Sequence, residues 1–365
     1  MVRQGGLLGN KQKRLLSRRE FLGGLTLWGG LALLSSLLPS CLKGTEPPPQ
    51  SSTPSPAMDV AKPTGEKNPV SKIALVATKN RTEGVPKAIK LLESNPVQGK
   101  AVALKPNFNT ADPFPGSTHN DTLRALILAL QQMGATPITL AERSGPANTH
   151  KVMQQKGILQ MGKDLGFDIL NLEELGPEGW VHLHPKDSHW KRGFHFARIY
   201  LEAECIVQTC CLKTHAYGGH FTLSLKNSVG MVPGSGYPYM GELHGSLYQR
   251  QMIAEINTAY SPDLILLDGV EAFTSGGPMR GTTVDAGVIL AGTDRVAIDA
   301  AGVAILRLLG TTPEVSQGLV FEQEQIARAV ELGLGIRSPS QIQFIADDAE
   351  SEEFARRLED ILLQV

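Results

Sequence analysis

Short apolar runs and amphipathic stretches alternate along most of this chain. Lys72–Ala77, Ala101–Leu104, Pro137–Leu140, Cys205–Thr209, Leu264–Leu267 and Val288–Ala291 are brief and dominated by apolar residues. Runs of that length predict buried strands. Between them the spacing turns helical. Val85, Ile89 and Leu92 share one face over Gly84–Leu92. Thr122–Met133 reads as a strong helix, with Asp121 or Asn120 as its cap and Gly134 as its stop. Asp294 is placed to cap a helix over Arg295–Leu308. The tail repeats the alternation with a helix at Glu322–Leu332, a strand at Ile342–Ile345 and a helix at Glu352–Leu363. This pattern predicts an α/β fold, Rossmann-like, with a mainly parallel sheet covered by helices on both faces and right-handed crossovers. The stretch 172–196 breaks the rhythm. It carries Trp180, His182, His184, His189, Trp190 and His195 without helical periodicity, and reads as an inserted hairpin or small lobe.

The front of the chain obeys different rules. Arg3, Lys11, Lys13, Arg14, Arg18 and Arg19 precede an apolar run from Leu22 to Leu38, with Glu20 the only acidic residue. Ser17-Arg18-Arg19-Glu20-Phe21-Leu22 matches a twin-arginine export signal, so residues 1–40 are expected to be a signal peptide that engages the twin-arginine machinery. A retained signal-anchor helix is the alternative, although the glycines lower its hydrophobicity. Leu38-Pro39-Ser40-Cys41 resembles a lipobox, which would make Cys41 the lipidated first residue of a membrane-tethered, extracytoplasmic lipoprotein. The other reading is a simple cut a few residues later, with Cys41 incidental. Residues 41–70 are rich in Pro, Ser and Thr and poor in large apolar residues, so they read as a tether. The folded body is expected over 71–365.

Composition narrows the class. Of the 365 residues, 41% are apolar and 19% charged, which excludes a disordered, collagenous or multi-span membrane protein. The formal charge is −1, so no basic excess points to nucleic acid.

Ligands of open α/β sheets bind beyond the carboxyl ends of strands. Three polar clusters fall there. Lys105-Pro106-Asn107 follows the second strand. Lys213-Thr214-His215, then His220, Lys226 and Asn227, follow the strand at Cys205–Thr209, and His244 could return to the same place. Asp268-Gly269 ends the strand Leu264–Leu267, and Gly276-Gly277 opens an irregular loop. In this reading His215 and His220 move protons, while Lys105, Lys213 and Lys226 hold a carboxylate or phosphate. Neighbouring lysines depress one another's pKa, so one of them, Lys105 included, can itself serve as a base. Asn107, Thr214, Asn227, Asp268, Gly276 and Gly277 complete the candidate ligand-binding set. His215, His220 and His244 are a candidate metal set, although this spacing is weak for a metal site. Asp299 reads as an exposed or packing carboxylate. Cys205, Cys210 and Cys211 contain no C-x-x-C pair, so no iron–sulfur motif is present. Walker A, G-x-S-x-G and G-x-G-x-x-G signatures are absent too.

Taken in order, Lys105-Pro106-Asn107, Lys213-Thr214-His215, Leu225-Lys226-Asn227-Ser228-Val229-Gly230, Asp268-Gly269 with Gly276-Gly277-Pro278, and Asp294-Arg295-Val296-Ala297-Ile298-Asp299 resemble the domain of unknown function 362 family. The resemblance runs from about Ser71 to about Gly335. Members of that family are sometimes fused to ferredoxin-like iron–sulfur modules; this chain departs from them in its export signal and its lack of cluster-binding cysteines. The architecture is also distantly similar to the amino-terminal domain of lactate racemase, a likeness of fold that transfers no activity. The expected function is an exported protein with one strand-tip site for a small anion, working as a His/Lys acid–base or metal-assisted enzyme. A non-catalytic envelope binding lipoprotein and a metal-cofactor handling factor are the alternatives.

Overall fold

The computed structural model describes residues 70–364. The signal segment, Cys41 and the tether lie outside the described residues.

Within the described residues eleven strands form: β1 Ser71–Ala77, β2 Val102–Lys105, β3 Ile138–Glu142, β4 Asp168–Asn171, β5 Trp180–Leu183, β6 Phe194–Ala197, β7 Cys205–His215, β8 His220–Thr222, β9 Leu264–Gly276, β10 Gly281–Gly292 and β11 Ile342–Ile345. Nine make one sheet in the order β11-β1-β10-β9-β7-β2-β3-β4, with β8 paired to β7 off that path. β11–β1, β9–β7, β7–β2, β2–β3 and β3–β4 are parallel. β10 runs antiparallel to both β1 and β9, and β8 antiparallel to β7. The fold is therefore α/β with a mainly parallel mixed sheet. β5 and β6 form a separate antiparallel hairpin, as the broken rhythm of 172–196 predicts.

Helices cover both faces. The helix Arg295–Leu308 is almost wholly apolar and packs with Cys210, Leu212, Ile265 and Leu267 on one face. The helices Arg81–Leu91, Asn120–Gln132, Thr149–Gln155 and Ile158–Leu165 cover Val207, Leu264 and Leu266 on the other. Strand residues alternate between faces, so both neighbours in each apolar dipeptide find a core. A third, aromatic cluster lies under the hairpin, with Trp190, Phe194, Phe196 and Tyr200 buried.

Two strands outrun their expected ends. β7 has 11 residues and β9 has 13, so Cys210–His215 and Asp268–Gly276 are strand rather than loop. Lys213, Thr214 and Asp268 are buried with hydrogen-bond partners, and the ladder continues through them. One cap also differs. The helix Asn120–Gln132 is capped by His119, whose Nδ1 accepts from the Asp121 amide at 3.1 Å, not by Asn120 or Asp121. Asp294 does cap Arg295–Leu308, accepting from the Val296 and Ala297 amides.

Candidate functional site

The parallel strands β2 and β3 end side by side and present Lys105 and Glu142 at one edge of the sheet, while β7, whose Gln208 is level with Lys105, runs on past them to Lys213 and His215. Lys105 is buried, and its ammonium donates to Glu142 Oε1 (2.7 Å), the Pro106 carbonyl (2.6 Å) and Asn227 Oδ1 (3.3 Å). Three acceptors for three protons leave nothing for a ligand. Asn227 also receives Asn107 Nδ2 at 3.4 Å and donates to the Thr209 carbonyl at 3.2 Å. Asn107 Oδ1 in turn accepts from Lys213 Nζ at 2.9 Å, and Lys213 gives a second proton to the Gly116 carbonyl at 2.6 Å. Lys105, Asn227, Asn107 and Lys213 thus form one buried polar network. Gly230 closes over it, because a Cβ there would stand 2.8 Å from both Glu142 Oε1 and Lys105 Nζ.

Against this network stands a group of basic side chains with open valences. Arg143 is buried; its Nη1 and Nη2 reach the Ser144 and Val229 carbonyls, while its Nε has no partner. His215 is 6% exposed, and its Nδ1 is buried without a partner. Half-buried Lys226, on the short helix Ser224–Asn227, makes no hydrogen bond or ion pair among the described residues. Exposed His244, on the helix Tyr239–Gly245, holds the Met240 carbonyl through Nδ1 at 2.7 Å and adds to the field at Lys226 and Arg143. His215 and Lys226 are neighbours across Gly219. A Cβ at that glycine would stand 2.8 Å from His215 Nδ1 and 3.2 Å from Lys226 Cε.

The electrostatics follow from burial and crowding. Burial, then Lys213 and Arg143, bring the Lys226 amine down to about 7. Burial, followed by Lys226, His244 and Lys213, holds the His215 imidazole well below its usual range, so it is neutral at pH 7. Burial also lowers Lys105, against the pull of Glu142. A half-protonated amine beside a neutral imidazole can both give and take a proton at neutral pH.

Other expected site residues stand elsewhere. His220 pairs with His215 across β7 and β8, but its φ of 60° breaks the strand alternation, and its charged neighbours are Arg250, Glu324 and Glu314. Asp268 lies inside β9 rather than at its end. It accepts from Arg81 Nε at 2.8 Å, from Thr122 Oγ1 and from the Val270 amide at 3.1 Å, under the helices that begin at Arg81 and Asn120. Thr214 Oγ1 donates to the Phe273 and Gly276 carbonyls, both at 3.2 Å. Gly277 has φ 75°, and a Cβ on it would stand 2.0 Å from the Thr214 carbonyl oxygen, so Gly276-Gly277 serves a close backbone approach. Among the described residues no three His, Cys, Asp or Glu side chains are grouped to hold a metal ion. The three histidines 215, 220 and 244 are therefore not assembled as a ligand set.

Several site residues escaped the sequence reading. Glu142-Arg143 follows an apolar strand just as Lys105 does, so the same rule could have found it. Asp299, expected as an exposed or packing carboxylate, is the packing kind. It is fully buried and accepts from the Ser224 amide at 2.7 Å, the Leu225 amide at 3.3 Å and Gln325 Nε2 at 3.3 Å, anchoring the helix that carries Lys226. From the other side Asn257 Nδ2 donates to the Leu225 carbonyl at 3.0 Å, and Arg295 Nη1 holds the Asn257 carbonyl at 2.9 Å. A cleft of about 310 Å³, walled in part by Trp180, Pro233 and Tyr237, opens beyond Gly234, which packs against Arg143.

Comparison with known proteins gives three likenesses. Residues 102–304 match a family described as a domain of unknown function (DUF362). The thylakoid-associated protein sll1697 of Synechocystis sp. is 28% identical over 215 residues, 58% of this chain, and the match spans 64% of that relative's own length. The lactate racemase apoprotein from Thermoanaerobacterium thermosaccharolyticum aligns over 80% of this chain and 86% of its own, at 12% identity and a TM-score of 0.39.

Proposed function

The chain belongs to the domain of unknown function (DUF362) family, and from that premise we propose that it binds a small carboxylate or phosphate beyond the ends of β2 and β3, beside the last residues of β7, and exchanges a proton with it through His215 and Lys226. One observation carries this reading. Arg143, Lys213, His215, Lys226 and His244 crowd together; Arg143 Nε and His215 Nδ1 are buried without a partner, and the half-buried Lys226 Nζ makes no hydrogen bond among the described residues. Buried polar atoms without partners are uncommon, and a cluster of them calls for a ligand or ordered water. Lys105 is then the frame rather than the grip, since its three protons are already committed, and Lys213 has given two of its three to the frame.

The proposal extends to place. The twin-arginine pattern around Arg18 and Arg19 would send the protein out of the cytoplasm, and Cys41 would tether it by a lipid. The name of the Synechocystis relative, thylakoid-associated, is in keeping with a membrane-linked location.

Calorimetric titration of the protein with inorganic phosphate and with oxalate tests the site. Saturable binding is expected, with at least a tenfold loss in Lys226→Ala and in His215→Ala. Thermal unfolding read beside the titrations shows that both variants are folded: His215→Ala empties a buried ring and should lower the midpoint, whereas Lys226→Ala removes a crowded cation and should not. Unchanged affinity in both variants would overturn the proposal. Binding by a protein that never exchanges the α-proton of a bound 2-hydroxy acid in deuterated water would leave a binding role and remove the catalytic one.

A further inference from the structure

Resting on the anion-binding reading of the same site, we propose that Lys226 is a nucleophile that forms a reversible imine with a small anion bearing a carbonyl group, such as a 2-oxo acid. The geometry separates it from the other strand-tip lysines. Lys105 has three acceptors for its three protons, and Lys213 is held by two, Asn107 Oδ1 and the Gly116 carbonyl. Lys226 Nζ has none among the described residues. It faces Lys213 and His215 on β7, Arg143 beyond β3 and His244 on the helix Tyr239–Gly245, and no carboxylate pairs with it. That surrounding favours the neutral amine, the form with a lone pair to give.

The ligand class follows from the same neighbours. A carboxylate drawn to Arg143 would carry its 2-oxo carbon one bond away, on the side where Lys226 and His215 stand. Gly219 leaves the space between His215 and Lys226 free of a side chain. The Nζ lone pair attacks the carbonyl carbon while the carbonyl π pair moves to oxygen. Nitrogen gives up a proton and oxygen takes one, which yields a carbinolamine. The hydroxyl, protonated, leaves as water while the nitrogen lone pair closes the C=N bond, and the iminium nitrogen then releases its remaining proton, replacing the one spent on the hydroxyl, to give the neutral imine. No oxidant or reductant enters, and water is the only product released. His215 Nδ1 stands beside Lys226 with no partner, placed to accept the proton from nitrogen and return it to the departing oxygen.

Glyoxylate and pyruvate, each with sodium cyanoborohydride, convert an imine to a stable secondary amine that peptide mass spectrometry can locate. The expected result on the whole protein is saturable labelling at Lys226, slowed by inorganic phosphate and faster as pH rises through about 7. Lys226→Arg should bind phosphate but take no label there. His215→Ala should still label at Lys226, roughly 100-fold more slowly, the scale of a lost general acid–base. Phosphate binding by wild type without labelling at Lys226 overturns the imine and leaves the anion site standing. Absence of both overturns the anion site as well. Labelling spread evenly over exposed lysines, with no protection by phosphate, also overturns the imine; that comparison needs no variant.

Discussion

Lys105 and Lys226 lie in one cluster and are treated in opposite ways by their surroundings. Lys105 is matched by Glu142, whereas Lys226 is left among cations. The difference has a measurable consequence for stability. In the unfolded chain Lys226 titrates near its ordinary value, while in the folded chain it titrates at about 7. Between those two values the unfolded state binds the extra proton, so stability rises with pH across the window. Below about 7 the folded protein bears the full cost of the buried charge. Lys226→Met keeps the side-chain length and removes the charge. At pH 6 it should unfold at a higher temperature or denaturant midpoint than wild type, by roughly 1 kcal/mol or more, since each unit of depression is worth about 1.4 kcal/mol. The advantage should shrink as pH climbs from 7 towards 10. An equal midpoint at pH 6, or a difference independent of pH, would show that the amine is not depressed. None of this is visible in the sequence alone. A lysine in a Gly-, His- and Lys-rich stretch was readable as a candidate, but which lysine is matched depends on Glu142, whose partner Lys105 lies 37 residues away.

At the scale of elements, the helix Ser224–Asn227 is too short to hold itself in place. Its amides at Ser224 and Leu225 are taken by Asp299, and its Leu225 carbonyl by Asn257, which Arg295 holds. The Asp294–Asp299 segment of the family pattern thereby acquires a physical meaning: Asp294 caps its own helix, while Arg295 and Asp299 clamp a second one. Asp299→Ala should strand two buried amides and cost about 1–3 kcal/mol. It should also release Lys226 from its setting, so phosphate binding and the depressed titration of the amine should weaken together. Asp299→Asn keeps one acceptor and should restore most of the binding. If Asp299→Ala lowers stability while Lys226 labels and titrates as before, Asp299 serves the core and does not position the lysine. Elements were legible where a local signal sufficed, as in the Asp294 cap and the helix it begins. They were not legible where a distant partner rescues a polar residue. β9 continues past Asp268 because Arg81 and Thr122, far back in the chain, satisfy its carboxylate.

For the whole molecule, alternation of apolar runs was enough to announce a mainly parallel sheet with two covered faces, and the structure has one. It could not announce that β10 enters antiparallel between β1 and β9, because its apolar core at Val288–Ala291 looks the same in either direction. The body so built bears on the proposed route of export. Cys205, Cys210 and Cys211 are buried free thiols, and burial raises the pKa of all three, which keeps them inert. A chain carrying such thiols unfolded into an oxidising compartment would be open to mispairing. A route that moves folded cargo protects them, and that is the route Arg18 and Arg19 would select. Lysine keeps the charge of arginine but not its planar fork of donors, so the exchange is not conservative where recognition depends on that fork. Arg18→Lys with Arg19→Lys should therefore leave the protein in the cytoplasm, folded, soluble and able to bind phosphate. Cys41→Ala with the arginines intact should be exported and appear in the soluble extracytoplasmic fraction instead of the membrane fraction. Fractionation of cells expressing each variant reads both outcomes. Export of the twin-lysine form at the wild-type level would end the twin-arginine assignment, and membrane retention of Cys41→Ala would end the lipid anchor while leaving the export route intact.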